Sequence, residues 1–294
     1  MAPSRWKVDV ALIAIALVWG TTFVLVKQAL DDVSTLLFLT LRFSMATGAL
    51  ALLFSRRMRM DLPSIRGGLL AGVFLFAGYV LQTFGLKYTT AAKAGFITGL
   101  YIPLVPLIGA VVYKRFPQTA ECIGVICAFA GMALMTVQRN ILAIGLGDLL
   151  VIGCAVAYAF HIVILGHFAK GANIPVLTVV QIATAAMLAA GTFWWAEPVR
   201  IRWSPAVWLA LGITSLLATA MAFALQTWAQ QYSSPARTAL IFSLEPVFAL
   251  ITSFILLGER LTGRGMAGAG LILAGILMAE LKPFQFRQHP GEVI

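Results

Sequence analysis

Charge is what this sequence has least of. Only 11% of its 294 residues are Asp, Glu, Lys or Arg, under half of the roughly 25% carried by soluble globular chains. That is too little polar side chain to cover a water-facing surface. Carboxylates are the scarcer sign, 11 against 21 basic residues, and they form no cluster of metal ligands. The three cysteines, Cys122, Cys127 and Cys154, lie scattered inside apolar runs. They make neither a disulfide framework nor a metal site and read as buried packing thiols. There is no HExxH, no Ser/His/Asp set and no phosphate loop, so an enzyme is disfavoured and no cofactor is expected. The net charge of +10 comes without a basic face or RNA-binding signature, which leaves nucleic acid out as a partner. Basic residues between apolar spans instead contact anionic headgroups and set orientation.

Apolar residues are what the chain has in excess. They make up 61% of it and fall in runs of about 20, the length that crosses hydrocarbon as a helix. The runs lie near 8–29, 36–54, 67–86, 94–113 and 118–138, then near 147–167, 174–195, 206–230, 236–257 and 264–281. The opening Arg5-Trp6-Lys7 imitates a signal peptide, but the apolar run continues to about Leu30. That is too long for the apolar region of a signal, so it reads as an uncleaved first span. The linkers are short, and no soluble domain fits anywhere.

The chain repeats itself. Leu81-Gln82-Thr83, Tyr88, Ala92 and Lys93 recur as Leu225-Gln226-Thr227, Tyr232, Ala236 and Arg237, all 144 residues on. Gly124 and Gly131 recur as Gly268 and Gly275 at the same offset. Nearer the start, Asp9 and Trp19 match Asp148 and Tyr158 at an offset of 139 for the first pair. These offsets divide the chain at residues 1–139 and 140–294. Five crossings per half, an odd number, force the halves to insert with opposite orientation. The expected fold is therefore an all-α integral membrane protein of ten transmembrane helices, arranged as two inverted five-helix repeats. In the first half Arg5, Lys7, Arg56, Arg57, Arg59, Arg66, Lys114 and Arg115 fall on one side, against Lys27, Lys87 and Lys93 on the other. That bias places both termini in the cytoplasm. The second half is balanced and adds no vote.

Ionisable residues inside spans cost at least ~2.5 kcal/mol on insertion scales, so each asks for a reason. Glu245 reads as a proton site, a polar-substrate contact or a structural carboxylate beside Pro246. His161 reads as a packing or a cavity-lining group. Arg42, about one turn into its helix, reads first as a snorkelling cation. Pro103 and Pro106 interrupt the fourth run and Pro246 the ninth, its repeat partner. Breaks at matching positions of two halves point to a transporter binding site, although a packing kink would leave the same mark. Around them lie Tyr79 and Gln82, three apart on one helical face, Tyr101, Tyr158 and His161, again three apart, Gln226 as the repeat of Gln82, and Trp19 as the counterpart of Tyr158. Aromatic walls with amide dipoles suit a small amphipathic solute. Gly124, Ala128 and Gly131 are set to face Gly268, Gly270 and Gly275, as close helix packing or as a contact with a second protomer. Monomer and homodimer both stay open.

These stretches resemble the drug/metabolite transporter superfamily, in its ten-helix EamA-type branch. The resemblance rests on Leu17-Val18-Trp19-Gly20-Thr21-Thr22-Phe23, Leu41-Arg42-Phe43, Ser243-Leu244-Glu245-Pro246-Val247 and Leu257-Gly258-Glu259-Arg260-Leu261, and it covers essentially the whole chain. One departure is Lys114-Arg115, where the first repeat of the family usually carries an acidic residue after helix four. The resemblance implies a secondary transporter of the bacterial inner membrane with a central cavity opened alternately to each side. Within the branch, the amino acid exporters, including the aromatic amino acid exporter type, best match a cavity lined by Tyr79, Tyr101, Tyr158 and Gln82. A multidrug or other small-metabolite exporter is the alternative, and a channel the alternative of another class. The expected partners are small-molecule substrates, amino acids first, and the lipid bilayer.

Overall fold

The computed structural model of the chain describes residues 3–89, 91–114, 118–136, 145–248, 251 and 262–281. Among these the elements are helical throughout, in the order α1 Arg5–Ala29, α2 Thr35–Phe54, α3 Leu62–Tyr88, α4 Ala91–Thr98, α5 Tyr101–Tyr113 and α6 Thr119–Thr136. The second half follows with α7 Leu146–Phe168, α8 Ile174–Ala196, α9 Pro205–Gly212, a π-helical stretch Ile213–Met221, α10 Ala222–Gln230, α11 Pro235–Phe242 and α12 Gly263–Leu281. Seven helical stretches among the described residues are long and apolar enough to cross a membrane. Two of them, Ala94–Tyr113 and Pro205–Gln230, are composite. Shorter apolar helices cover Cys122–Leu134 and Gly263–Met278. The far end of the ninth expected span, with Glu259 and Arg260, lies outside the described residues, as does the division at 139 and 140. Large apolar side chains project outward, Leu52 at 80% and Val111 at 79% exposure. Hydrocarbon, not water, is the solvent those faces fit.

The helix starts are written in local chemistry. Asp61 accepts from the Ser64 amide at 2.8 Å, Asn173 from that of Val176 at 3.1 Å, and Ser204 and Ser234 cap α9 and α11 in the same way. Each cap is followed by a proline in the first turn, where a missing N–H costs nothing. The linkers also sort by end. Ser34 donates its amide to the Arg200 carbonyl at 2.8 Å, Arg202 donates to the Asp32 carbonyl at 2.7 Å, and Glu197 accepts from the Leu36 amide. At the opposite end Asn173 donates to Ser64 at 2.9 Å and to the Arg57 carbonyl, and Asp9 pairs with Arg237 at 2.9 Å. The two groups of linkers are those that the alternating topology assigns to opposite faces.

Glycine packing carries the inverted symmetry. A Cβ at Gly131 would stand 2.5 Å from the Gly268 carbonyl oxygen, and one at Gly275 would stand 2.6 Å from that of Gly124. Since Gly131 repeats as Gly275 and Gly124 as Gly268, the two contacts are one contact related by a pseudo-two-fold axis between α6 and α12. Ala128 is fully buried there, whereas a Cβ at Gly270 would meet none of the described residues of other helices within 4 Å, so Gly270 takes no part in the contact expected of it. Cys154 is buried, but Cys122 and Cys127 are only partly so. They sit on α6, whose other face looks outward, and are not the enclosed thiols that the apolar run suggested.

Two features differ from the expected run of helices. The fourth span breaks at Gly99-Leu100, between α4 and α5, not at its prolines. Pro103 lies in the first turn of α5, and Pro106 sits within that helix. The ninth span breaks at Ser243-Leu244, again ahead of Pro246. The two breaks are 144 residues apart, and each carries the same tightened bond: Leu100 donates to the Ile97 carbonyl at 3.0 Å, and Leu244 to that of Ile241 at 3.1 Å. A proline withholds its own N–H from the carbonyl four residues before it. Pro103 therefore cannot serve the Gly99 carbonyl, which accepts from the Ile102 amide at 3.0 Å instead, and Pro246 cannot serve that of Phe242. The second difference is the π stretch in what reads as one helix over 206–230. Wide turns of this kind mark functional positions in helices, and here two side chains from the first half bond into it.

Candidate functional site

A partly open cavity lies between the two halves, with about 710 Å³ of space free of protein atoms, its open mouth included. Trp19, Tyr79, Gln82, Tyr101, Tyr158, His161 and Gln226, each singled out from the sequence, line it together, and so do Arg42 and Glu245. The prolines do not line it. What the breaks bring to it is the first residue after each, Tyr101 in α5 and Glu245 beyond α11, which are repeat counterparts at an offset of 144.

Arg42 is the clearest correction. It stands two turns into α2, is 4% exposed, and does not snorkel. Its Nε donates to Thr219 Oγ1 at 2.8 Å in the π stretch, and its Nη2 donates to the Tyr79 hydroxyl at 3.1 Å. The guanidinium also lies over the Tyr79 ring, 4.6 Å from its centroid. Trp19 reaches the same stretch, where its Nε1 donates to the Ala218 carbonyl at 2.9 Å. No carboxylate pairs with Arg42 among the described residues, so the guanidinium is held by neutral groups and keeps donors to spare.

His161 is tied into a chain whose direction can be read from its fixed end. The Thr227 hydroxyl donates to the Phe223 carbonyl at 2.7 Å, so its oxygen accepts from Gln181 Nε2 at 2.9 Å. That leaves Gln181 Oε1 as acceptor for His161 Nε2 at 2.9 Å, and Nε2 therefore carries the proton. His161 is thus both satisfied and cavity-lining, with its ring edge-on to Phe223 at 5.7 Å. Gln82 is also engaged: its Nε2 donates to Thr98 Oγ1 at 3.1 Å, and its Oε1 lies 3.4 Å from the Tyr158 hydroxyl. Tyr158 packs edge-on to Tyr79 at 5.6 Å, and its ring fills the gap left by Gly78, where a Cβ would come within 2.3 Å.

Phe223 was missed, although it is the hub of the wall. Its ring meets Trp19 at 5.5 Å and Tyr79 at 6.3 Å as well as His161. The repeat held the signal, because Phe223 is the counterpart of Tyr79 at the offset of 144. Nothing local marks a phenylalanine in an apolar run as cavity-lining. Thr219 and Gln181 were missed for a similar reason, since each matters only through the partner it meets across the fold. Among the described residues no group of His, Cys, Asp and Glu is placed to hold a metal.

The fold and cavity have relatives. The pattern of the EamA-like transporter family matches residues 6–137 and again 145–281. An uncharacterized transporter of Archaeoglobus fulgidus is 35% identical over 263 residues, covering 88% of this chain and 80% of its own length. The uncharacterized transporter YyaM of Bacillus subtilis is 24% identical, with 84% of this chain and 85% of its own covered. A protein solved by crystallography superposes with a TM-score of 0.79 over 95% of this chain and 98% of its own at 20% identity, which speaks for the fold alone. With two copies of the pattern spanning nearly its whole length, the chain belongs to the EamA-like transporter family and is a multi-pass membrane transporter, not an enzyme.

Proposed function

We propose that this transporter exports neutral amino acids, aromatic ones among them, across the bacterial inner membrane by alternating access, with both termini cytoplasmic. The observation that carries the substrate class is Arg42, a buried guanidinium without a carboxylate partner among the described residues, set in an aromatic wall of a cavity between the repeats. A guanidinium of this kind recognises a carboxylate, and the rings of Trp19, Tyr79, Tyr158 and Phe223 offer an apolar side chain stacking surface. The inverted repeat supports alternating access, since the same five-helix unit faces each side once.

Flux of L-phenylalanine and a panel of other amino acids in proteoliposomes tests this reading. Exchange that saturates, and that falls several-fold when Tyr79 or Tyr158 becomes alanine, is the expected result. That follows from an aromatic contact worth about 0.5–1.5 kcal/mol. No flux of any amino acid would overturn it. A crosslink between positions 9 and 237, which join α1 to α11 through an ion pair, should stop a carrier, whereas flux that survives it belongs to a channel.

Glu245 favours proton coupling as a second component. It lines the cavity at a helix break and makes no hydrogen bond or ion pair with any described residue. Glu245→Gln keeps the shape without the titration. A coupled carrier with this change still exchanges substrate but no longer concentrates it under an imposed pH gradient. If the parent protein shows no response to that gradient, the coupling reading fails, and His161→Ala is the parallel test.

A further inference from the structure

The two repeats place nearly matched residues around the cavity, and the mismatches fall at its polar positions. Gln82 and Gln226 are counterparts, yet their surroundings differ. In the first repeat Gln82 is bonded by Thr98, with Tyr158 beside its oxygen. In the second repeat the positions of Thr98 and Tyr158 are taken by Phe242 and Trp19, neither of which bonds Gln226. The partner of Gln226 is Gln230, whose counterpart in the first repeat is the apolar Leu86.

That substitution fixes how the Gln226 amide points. Gln230 Nε2 donates to the Ile162 backbone carbonyl at 2.9 Å, an acceptor that cannot reverse. Gln230 Oε1 is therefore turned to accept from Gln226 Nε2 at 3.1 Å. The remaining end of the chain is Gln226 Oε1, which has no hydrogen-bond partner among the described residues although Gln226 is only 1% exposed and lines the cavity. An orphaned buried amide oxygen has lost its water without gaining a donor in exchange. Here it is retained by a relay that prevents the amide from flipping to hide it.

Thr219, Phe223, Gln226 and Gln230 lie along one face of the π stretch and α10. Arg42 bonds that face at Thr219, and Gln226 lies about two turns further along it. Phe223 separates them. The cavity is thus polarised, with a donor pole at Arg42 and an acceptor pole at Gln226, and the carboxyl of Glu245 lines the same space. We infer that Gln226 is the specificity residue for the substrate's ammonium group, accepting a hydrogen bond from it while Arg42 holds the carboxylate. The inference rests on the amino acid reading above and adds to it the group that excludes simple carboxylic acids.

The test is binding to the detergent-purified full chain of three probes that share one ring: L-phenylalanine, phenethylamine without the carboxylate, and 3-phenylpropionate without the ammonium. Gln226→Leu should lower affinity for L-phenylalanine and phenethylamine about tenfold, the equivalent of one hydrogen bond to a charged group, and leave 3-phenylpropionate unchanged. Gln226→Glu keeps an acceptor and should hold or raise the affinity for phenethylamine, which guards against a Gln226→Leu protein that folds poorly. Equal losses for all three probes, no loss for any, or no binding of any probe would overturn the inference. Failure of the amino acid reading looks different: L-phenylalanine then binds no better than phenethylamine while the amine still responds to Gln226.

Discussion

Polar side chains in this cavity are held by neutral partners, which makes their roles separable by substitution. Arg42 is bonded by a threonine and a tyrosine and packed on a ring, so its charge is positioned without being cancelled. Its counterpart in α8 is Gln181, at an offset of 139, and that residue occupies the equivalent buried position without disturbing the helix. Arg42→Gln is therefore the substitution most compatible with the fold. It should raise the KM for amino acids roughly ten- to a hundredfold, as expected for a charged hydrogen bond of about 1.5–3 kcal/mol, with folded yield near that of the parent. Arg42→Lys should not rescue, because a point charge cannot serve Thr219, Tyr79 and a carboxylate at once. Substrate-concentration dependence of flux in proteoliposomes reads both. A KM that stays at the parent value in both variants would remove Arg42 from the site.

Helix contacts explain which small residues matter, and spacing alone misjudges them. Gly131 and Gly270 both belong to stripes with small-residue spacing, yet only the first faces backbone at 2.5 Å. Gly131→Val should abolish or sharply reduce the folded fraction on size-exclusion chromatography, while Gly270→Ala should leave it unchanged. The reverse order would mean that α6 and α12 pack through another face. Helix starts carry a pH dependence as well. The Ser64 hydroxyl, then the Ser64 amide, hold the Asp61 carboxyl below its ordinary value. A lowered carboxyl contributes stability that is fully present above the unfolded value of about 3.9 and is lost as pH falls through the folded value. The Tm gap between the parent and Asp61→Ala should therefore be full at neutral pH and narrow toward pH 3, and a gap constant with pH would show that the cap acts without its charge.

At the scale of the whole molecule the inverted repeat sets both the scaffold and the place of the site. The glycine contacts between α6 and α12 are symmetric, as are the breaks at Gly99-Leu100 and Ser243-Leu244, whereas the cavity groups at matching positions differ in chemistry. A site on the pseudo-two-fold axis inherits one backbone shape from both halves and its polarity from their divergence. Linkers sorted to two ends give topology a direct test. With Cys122, Cys127 and Cys154 replaced, a cysteine at position 58 should react with impermeant reagent only from the cytoplasmic side, and one at position 200 only from the outside. The opposite pattern at either position would invert the assignment. The ring-stacked Trp203 and Trp208, 4.6 Å apart at the start of α9 and both more than half exposed, mark that second end as an interface, where indoles concentrate.

Hydropathy placed the spans, matched residues at constant offsets the repeat, and short motifs the family resemblance, because a bilayer punishes any backbone that is not helical and any charge without a purpose. The same pressure made Trp19, Tyr79, Gln82, Tyr101, Tyr158, His161 and Gln226 conspicuous, as polar or amphipathic groups deep in apolar runs. Sequence could not show where a helix yields. Prolines named the neighbourhood of both breaks, but the chain turns just ahead of them, at Gly99-Leu100 and Ser243-Leu244, where Leu100 and Leu244 donate the tightened bonds. The π stretch had no local signature, since it arises where Trp19 and Arg42 bond across from the other half. Whether Arg42 reached a membrane surface or a cavity was likewise decided by what stood opposite it. Partners far apart in sequence meet only in the folded bundle, and hydrogen-bond direction along Gln226, Gln230 and Ile162 exists only once they have met.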